Sequence, residues 1–190
     1  EHLYTTNIDK FGSVSTAVGW NTKDCHNLRF EKICAELPTD IEITIADLGC
    51  GYGALYEYAI KNNFKIQEYH GYDMSQRMLE ECKDYLSGDA KIKLFNSAEL
   101  QYKCDYVVAS GIFNNICSAN KNAWFKYILK TLDNMDEYSN KGFIFNLLIE
   151  NLSRLSLWIV KLKGKFSAKS FVLRLNILQN SRIPTPYWPN

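Results

Sequence analysis

The sequence is poor in the features that commit a chain to a special class. No run of eighteen or more apolar residues occurs, so no spanning helix is expected. The opening Glu1-His2-Leu3-Tyr4 has neither a basic n-region nor a greasy h-region, so no signal peptide is expected, although the lack of an initiator Met leaves room for a removed segment. Only four prolines and ten glycines are present, which excludes collagenous and low-complexity chains. Three histidines and six cysteines with no Cys-x-x-Cys pair give no metal-ligand spacing, so no metal site is expected, and the scattered thiols suit a reducing, cytoplasmic compartment. Acidic residues are missing altogether from one end: residues 151–190 hold seven basic side chains and no Asp or Glu, whereas residues 1–150 hold 15 basic and 21 acidic ones.

What is present is an ordinary core-forming composition, 46% apolar and 14% aromatic over 190 residues, enough for one domain. Phe30, Ile33, Cys34 and Leu37 fall at helical spacing within 22–37, ahead of Pro38. Ile43 to Leu48 is short, β-branched and nearly all apolar, the pattern of a strand covered on both faces. Helices are predicted over 54–63, 75–86 and 120–138, the last carrying Trp124, Ile128, Leu132 and Met135 on one face. Strands are predicted over 66–72, 91–95, 105–109 and 142–149. Five strands alternating with helices imply a Rossmann-like, doubly wound, mainly parallel α/β sheet, whose ligand belongs at the carboxyl ends of the strands.

The first strand runs into Gly49-Cys50-Gly51-Tyr52-Gly53-Ala54, a loop that fits the dinucleotide pattern G-x-G-x-x-G/A and so does not choose a cofactor by itself. Asp47 helps to choose. A carboxylate aimed at that loop repels a pyrophosphate and suits a ligand bearing an amine and a sulfonium, as S-adenosylmethionine does. The second strand ends Gly71-Tyr72-Asp73, with Asp73 22 residues past Gly51, where an acidic side chain can accept from both ribose hydroxyls. The competing role for Asp73 is a helix N-cap.

Three motifs in order, Asp47-Leu48-Gly49-Cys50-Gly51-Tyr52-Gly53, Gly71-Tyr72-Asp73-Met74-Ser75 and Asp105-Tyr106-Val107-Val108-Ala109-Ser110-Gly111, make residues 10–150 resemble the class I S-adenosylmethionine-dependent methyltransferases. The resemblance implies S-adenosylmethionine as cofactor, with Gly49, Cys50 and Gly51 flanking its methionine part and Gly53 and Ser110 in the same set. It places Asp73 on the ribose, Met74 on one face of the adenine, and Ser97 and Ala98 at its edge, where many relatives carry an Asp. The lead-in Phe11-Gly12, Gly19-Trp20-Asn21 and Leu28-Arg29-Phe30 is similar to that of a bacterial subgroup. In that setting Arg29 pairs with the cofactor carboxylate and Trp20 shields the site; their simpler roles are a solvated charge and a staple.

In place of the Asn/Asp-Pro-Pro-aromatic tetrad of relatives that methylate nucleobases, the chain has Ser110-Gly111-Ile112-Phe113-Asn114-Asn115. With the acidic balance of residues 1–150, this argues against a nucleic-acid partner. The expected acceptor is a small molecule or glycan precursor, methylated at oxygen, with Asn114 orienting it. No catalytic residue is assigned. His70 is expected to pack in its strand, Cys50 to be a tolerated small side chain, and Trp124, Phe125 and Tyr127 to be core packing. Two rivals stay open: a cofactor-binding partner protein without turnover, and a nicotinamide-dependent Rossmann enzyme, disfavoured by Asp47. The chain divides into a cofactor-binding domain over 1–150 and a basic segment over 151–190. That segment is a divergent completion of the sheet, an altered carboxyl end such as a shifted reading frame produces, or an amphipathic surface segment. Within it an apolar helix is expected over Leu152 to Leu162 and a strand over 171–177.

Overall fold

The computed structural model describes residues 23–113, 120–151 and 154–162. Helix α1 (Lys23–Cys34) leads into β1 (Ile43–Leu48), α2 (Ala54–Lys61), β2 (Ile66–Asp73), α3 (Gln76–Tyr85), β3 (Ile92–Asn96), β4 (Cys104–Ala109), α4 (Lys121–Tyr138), β5 (Ser139–Asn151) and β6 (Arg154–Leu162). The strands form one sheet in the order β3-β2-β1-β4-β5-β6. The first five are parallel, and β6 runs antiparallel against β5. Chain order reverses between β1 and β4, so the carboxyl ends of β1, β2 and β4 border the crevice where such sheets hold ligands.

Both faces of the sheet are covered, which is why β1 reads as a nearly continuous apolar run. On one face Phe30 and Ile33 of α1, Leu55 and Ala59 of α2 and Leu79 of α3 pack over Ile45, Tyr69, Val108 and Ile144. On the other, Leu132 and Met135 of α4, with Leu100, pack over Ala46, Tyr72, Val107, Phe143 and Phe145. The caps follow the sequence: the Ser75 hydroxyl accepts from Met78 N, and the Asn120 side chain accepts from Ala123 N.

The expected apolar helix over Leu152 to Leu162 is not formed; Arg154–Leu162 is a strand. Leu155, Leu157 and Ile159 alternate with Ser156 and Trp158, and β-branched and aromatic residues favour the extended form over a helix of the same length. Strand β5 therefore has a neighbour on each side. It also outruns β4: the last β4 pair is Ala109↔Phe145, while pairing with β6 continues to Asn151↔Arg154. The strand expected over 171–177 lies outside the described residues.

Two residues of the α4 aromatic series are also corrected. Phe125 is 60% and Tyr127 43% exposed, so neither is core. Tyr127 falls off the stripe of Ile128, Leu132 and Met135 that a period of 3.6 turns inward, and stacks on Trp124 at 5.1 Å; Phe125 shares the spacing of that stripe but lies at its edge in the first turns of α4.

Candidate cofactor site

The loop after β1 has no freedom to be anything but glycine at its ends. Gly49, Gly51 and Gly53 take φ of 79°, 55° and 85°. A Cβ on Gly49 would lie 2.3 Å from Ile112 Cγ2, and one on Gly53 would lie 2.5 Å from Leu86 Cδ1 and 2.8 Å from Cys82 Sγ. Gly53 is also the N-cap of α2, with no side-chain cap, so the first amides of that helix are left for a ligand or water. Gly53→Ala combines a left-handed backbone with a buried clash, and a loss of stability of about 1–3 kcal/mol is expected, read as a lower melting temperature.

The loop is tied to the end of β2. The amides of Gly49 and Cys50 both donate to the Tyr72 carbonyl, at 2.8 and 3.0 Å. Asp73 then uses both oxygens: Oδ2 accepts from Gly51 N at 3.0 Å and Oδ1 accepts from Ser75 N at 2.9 Å. The cap of α3 is Ser75, so Asp73 is a staple between the glycine loop and the start of that helix. Each of its oxygens has a second lone pair, which is what accepting ribose hydroxyls requires. Burial pushes its carboxyl above the usual range, and the backbone amides of Ser75, Gly51 and Met74 pull it back.

Asp47 lies under the loop rather than open within it, 2% exposed. Its Oδ2 accepts from the Tyr69 hydroxyl at 2.6 Å, while Oδ1 is buried and has no hydrogen-bond partner among the described residues. Burial pushes its pKa up to about 7; the Tyr69 hydroxyl opposes this, and the negative Asp73 adds to it. A carboxylate near enough to raise the buried Asp47, which has a lone oxygen of its own, makes a field that a cation relieves and a pyrophosphate worsens. These residues fit a cationic nucleoside.

Met74, 64% exposed, stands beside Asp73 as an open apolar surface. The Asn96 amide donates to the carbonyls of Asp73 and Met74 at 3.1 and 3.0 Å, and Ser97 N donates to Asp73 O. Ser97 Oγ is engaged in its own turn, donating to Glu99 O and accepting from Glu99 N. Ala98 is exposed on that turn. Cys50 is buried, and the Cys82 thiol beside it, then burial, push its thiol well up, which suits packing and not a nucleophile. Arg29 is 4% exposed, so its simpler role as a solvated charge is excluded. Ser110 is half-buried at the end of β4. Trp20 and Asn114 lie outside the described residues. His70 packs as expected: it is buried, with Nε2 2.8 Å from Glu68 and Nδ1 3.4 Å from Cys104 Sγ.

Three contributors were not singled out by the sequence. Tyr69 carries the donor to Asp47, Ile112 fills the space over Gly49, and Asn146 of β5 accepts from Gly111 N. Asn146 alone left a trace, as a polar residue inside an otherwise apolar run from Gly142 to Ile149.

Residues 46–135 match a family described as a methyltransferase domain. Over 105 residues the chain is 39% identical to Rv1506c of Mycobacterium tuberculosis, a protein assigned as a methyltransferase; the match takes in 55% of this chain and 63% of that protein's length. Among solved structures, the N-methyltransferase NodS from Bradyrhizobium japonicum, in complex with S-adenosylhomocysteine, aligns with a TM-score of 0.57 at 11% identity, over 76% of this chain and 72% of that one. Magnesium protoporphyrin IX methyltransferase from Synechocystis, also with S-adenosylhomocysteine bound, aligns at 0.56 and 15% identity, over 80% and 68%. At those identities the likeness is one of fold.

Proposed function

We propose that the protein, whose residues 46–135 match a methyltransferase-domain family, is a class I S-adenosylmethionine-dependent methyltransferase that binds its cofactor across the ends of β1, β2 and β4 and transfers the methyl group to a small acceptor. The observation that carries this reading is the pairing of Asp73, with an acceptor lone pair left on each oxygen, and the buried Asp47 carboxylate beneath a loop of positive-φ glycines. Asp73 would hold the ribose, Met74 would cover one face of the adenine, and the backbone of 49–53 would lie along the methionine part. Asp47 would act through its field, favouring the sulfonium and ammonium from beneath. Cys50 would pack against the β2 end and keep the loop closed. Arg29 and Trp20 are proposed on the cofactor carboxylate and over the site, and Ser97, Ala98 and Ser110 at its margins.

The cofactor supplies an activated methyl on a cationic sulfur, and the protein's task is alignment and water exclusion. His70 is engaged by Glu68 and Cys104 and so is no free base for the acceptor. A hydroxyl acceptor that loses its proton readily, on a small molecule or glycan precursor, therefore fits better than one needing a strong base. Asn114 is the proposed orienting amide. No helix among the described residues is long and apolar enough to cross a membrane. A panel of hydroxyl, amine and nucleic-acid acceptors incubated with methyl-labelled cofactor tests the activity. Label on a small hydroxyl compound supports the reading, label on nucleic acid overturns the acceptor class, and cofactor binding with no transfer to any acceptor favours a non-catalytic partner protein.

A further inference from the structure

The site's far wall is built on one side chain that the cofactor motifs do not include. Asn146 is fully buried, and it follows Phe145, the last residue of β5 that pairs with β4. Beyond that rung β4 turns away through Ser110 and Gly111, and the backbone ladder between the two strands stops. The Asn146 side chain supplies the next bond in place of backbone: its Oδ1 accepts from Gly111 N at 2.7 Å. Gly111 has φ of 94°, which glycine adopts freely, so its backbone alone does not fix the turn; the bond from its part-buried amide to the buried Asn146 side chain does.

The register shows where this bond lies. Asp47 pairs Val108, and Val108 pairs Ile144, so these three form a row across β1, β4 and β5 on one face. Two residues further along β5, on the same face, comes Asn146, past the ends of β1 at Leu48 and β4 at Ala109. Asn146 therefore lies on the face of Asp47, two residues past its row, at the end of the sheet where the glycine loop begins. Between them Ile112 closes the gap, its Cγ2 filling the volume where a Cβ on Gly49 would stand. Phe113 anchors the same turn, packing edge-on against Phe145 with ring centroids 5.7 Å apart.

We propose that Asn146 is a positioning residue for the cofactor: by fixing Gly111 it seats Ile112 on Gly49 and holds the glycine loop from the acceptor side, as Asp73 holds it from the ribose side. The bare alternative is that Asn146 only satisfies a buried amide. The two differ in whether a change at Asn146 is felt at residues 49–53, 97 positions earlier in the chain at Gly49. An intact loop needs both clamps, since Ile112 makes no hydrogen bond to Gly49 and stays there only while the turn beneath it is fixed.

The inference rests on the proposed cofactor site, and its test separates the two. Asn146→Ala, Asn146→Asp and Ile112→Ala, singly and with Asn146→Ala and Ile112→Ala combined, are titrated with S-adenosylhomocysteine, and amide hydrogen exchange is followed in each full-length chain. Asn146→Ala is expected to weaken binding about tenfold and Ile112→Ala about fivefold. The combined variant should be no weaker than Asn146→Ala by more than about twofold, because both remove the same clamp. Asn146→Asp keeps the acceptor and should restore affinity to within about threefold of the parent. Exchange in Asn146→Ala should rise both at 110–113 and at 49–53. Multiplying losses, unchanged affinity in Asn146→Ala, or faster exchange confined to 110–113 each overturns the proposal. If Asn146→Ala does not fold, the parent-like affinity and protected 49–53 amides of Asn146→Asp, set against the opened 49–53 of Ile112→Ala, decide it the same way. A parent chain that does not bind S-adenosylhomocysteine contradicts the cofactor reading alone, and the exchange pattern still settles the clamp.

Discussion

Asp73→Ala is expected to lower affinity for S-adenosylhomocysteine by about a hundredfold or more. Two ribose hydroxyls donating to an ionised carboxylate are together worth about 3 kcal/mol or more on the usual scale for charge-assisted bonds. The substitution also strips the acceptors from Gly51 N and Ser75 N, so part of the loss is disorder in the loop. The two parts separate on the ligand side: an analogue lacking both ribose hydroxyls should bind the parent far more weakly than the full nucleoside, and bind Asp73→Ala no more weakly than the full nucleoside does. Calorimetry on the four pairs reads this directly. An analogue that loses as much on Asp73→Ala as on the parent would show that Asp73 only holds the loop.

The second large effect is one of pH and belongs to Asp47. Its pKa of about 7 stands above the unfolded carboxyl, near 3.8, so between those values the folded chain binds the additional proton. The sign follows: the stability linked to this group is greatest below about pH 4, falls as pH rises towards 7, and is level above it, by roughly 4 kcal/mol in all. Asp47→Asn has no such slope, so the difference in unfolding free energy between the two chains should shift in the variant's favour from pH 4 to 8. Denaturant titrations at several pH values measure it.

The same ionisation should tune ligand choice. S-adenosylmethionine carries a sulfonium that S-adenosylhomocysteine lacks, and a buried carboxylate several ångströms away attracts it only when ionised. The preference for the methylated nucleoside is therefore expected to grow about tenfold from pH 6 to 8 in the parent and to stay flat in Asp47→Asn. A preference that ignores pH in the parent would mean that Asp47 is a structural acid held by Tyr69 and nothing more. The arrangement has the character of a site that gives up stability for binding: an apolar residue under the loop would fold better and attract no cation.

The elements were legible because their signals are local. The apolar run of Ile43 to Leu48, the cap at Ser75 and the stripe through Leu132 and Met135 each lie within one segment, and each is found where periodicity puts it. The glycine loop and Asp73 were legible for a related reason: a tight turn at a strand end has few sequences that can make it. Tyr127 was misjudged by residue type, although its own spacing excludes it from the inward stripe; Phe125 has the spacing of that stripe and is exposed all the same at the start of α4. The stretch from Arg154 to Leu162 is the case where local pattern fails, since a short apolar run suits a helix or a strand until its partner is known, and here the partner is β5.

Asn146, Ile112 and Tyr69 could not be found that way. Each matters through what stands opposite, Gly111 at 35 positions' separation and Asp47 at 22, and that depends on strand register, which no window of sequence contains. The raised pKa of Asp47 is likewise a product of assembly. Alone in the sequence it reads as a negative charge under a loop; buried beside Asp73 it becomes a group half-protonated at neutrality.

The most direct test of the cofactor assignment is calorimetric titration of the folded chain with S-adenosylmethionine, S-adenosylhomocysteine and NAD, side by side. Saturable binding of both sulfur nucleosides and none of NAD is the predicted result. Binding of NAD in preference to either, or a folded chain that binds none of the three, would contradict it.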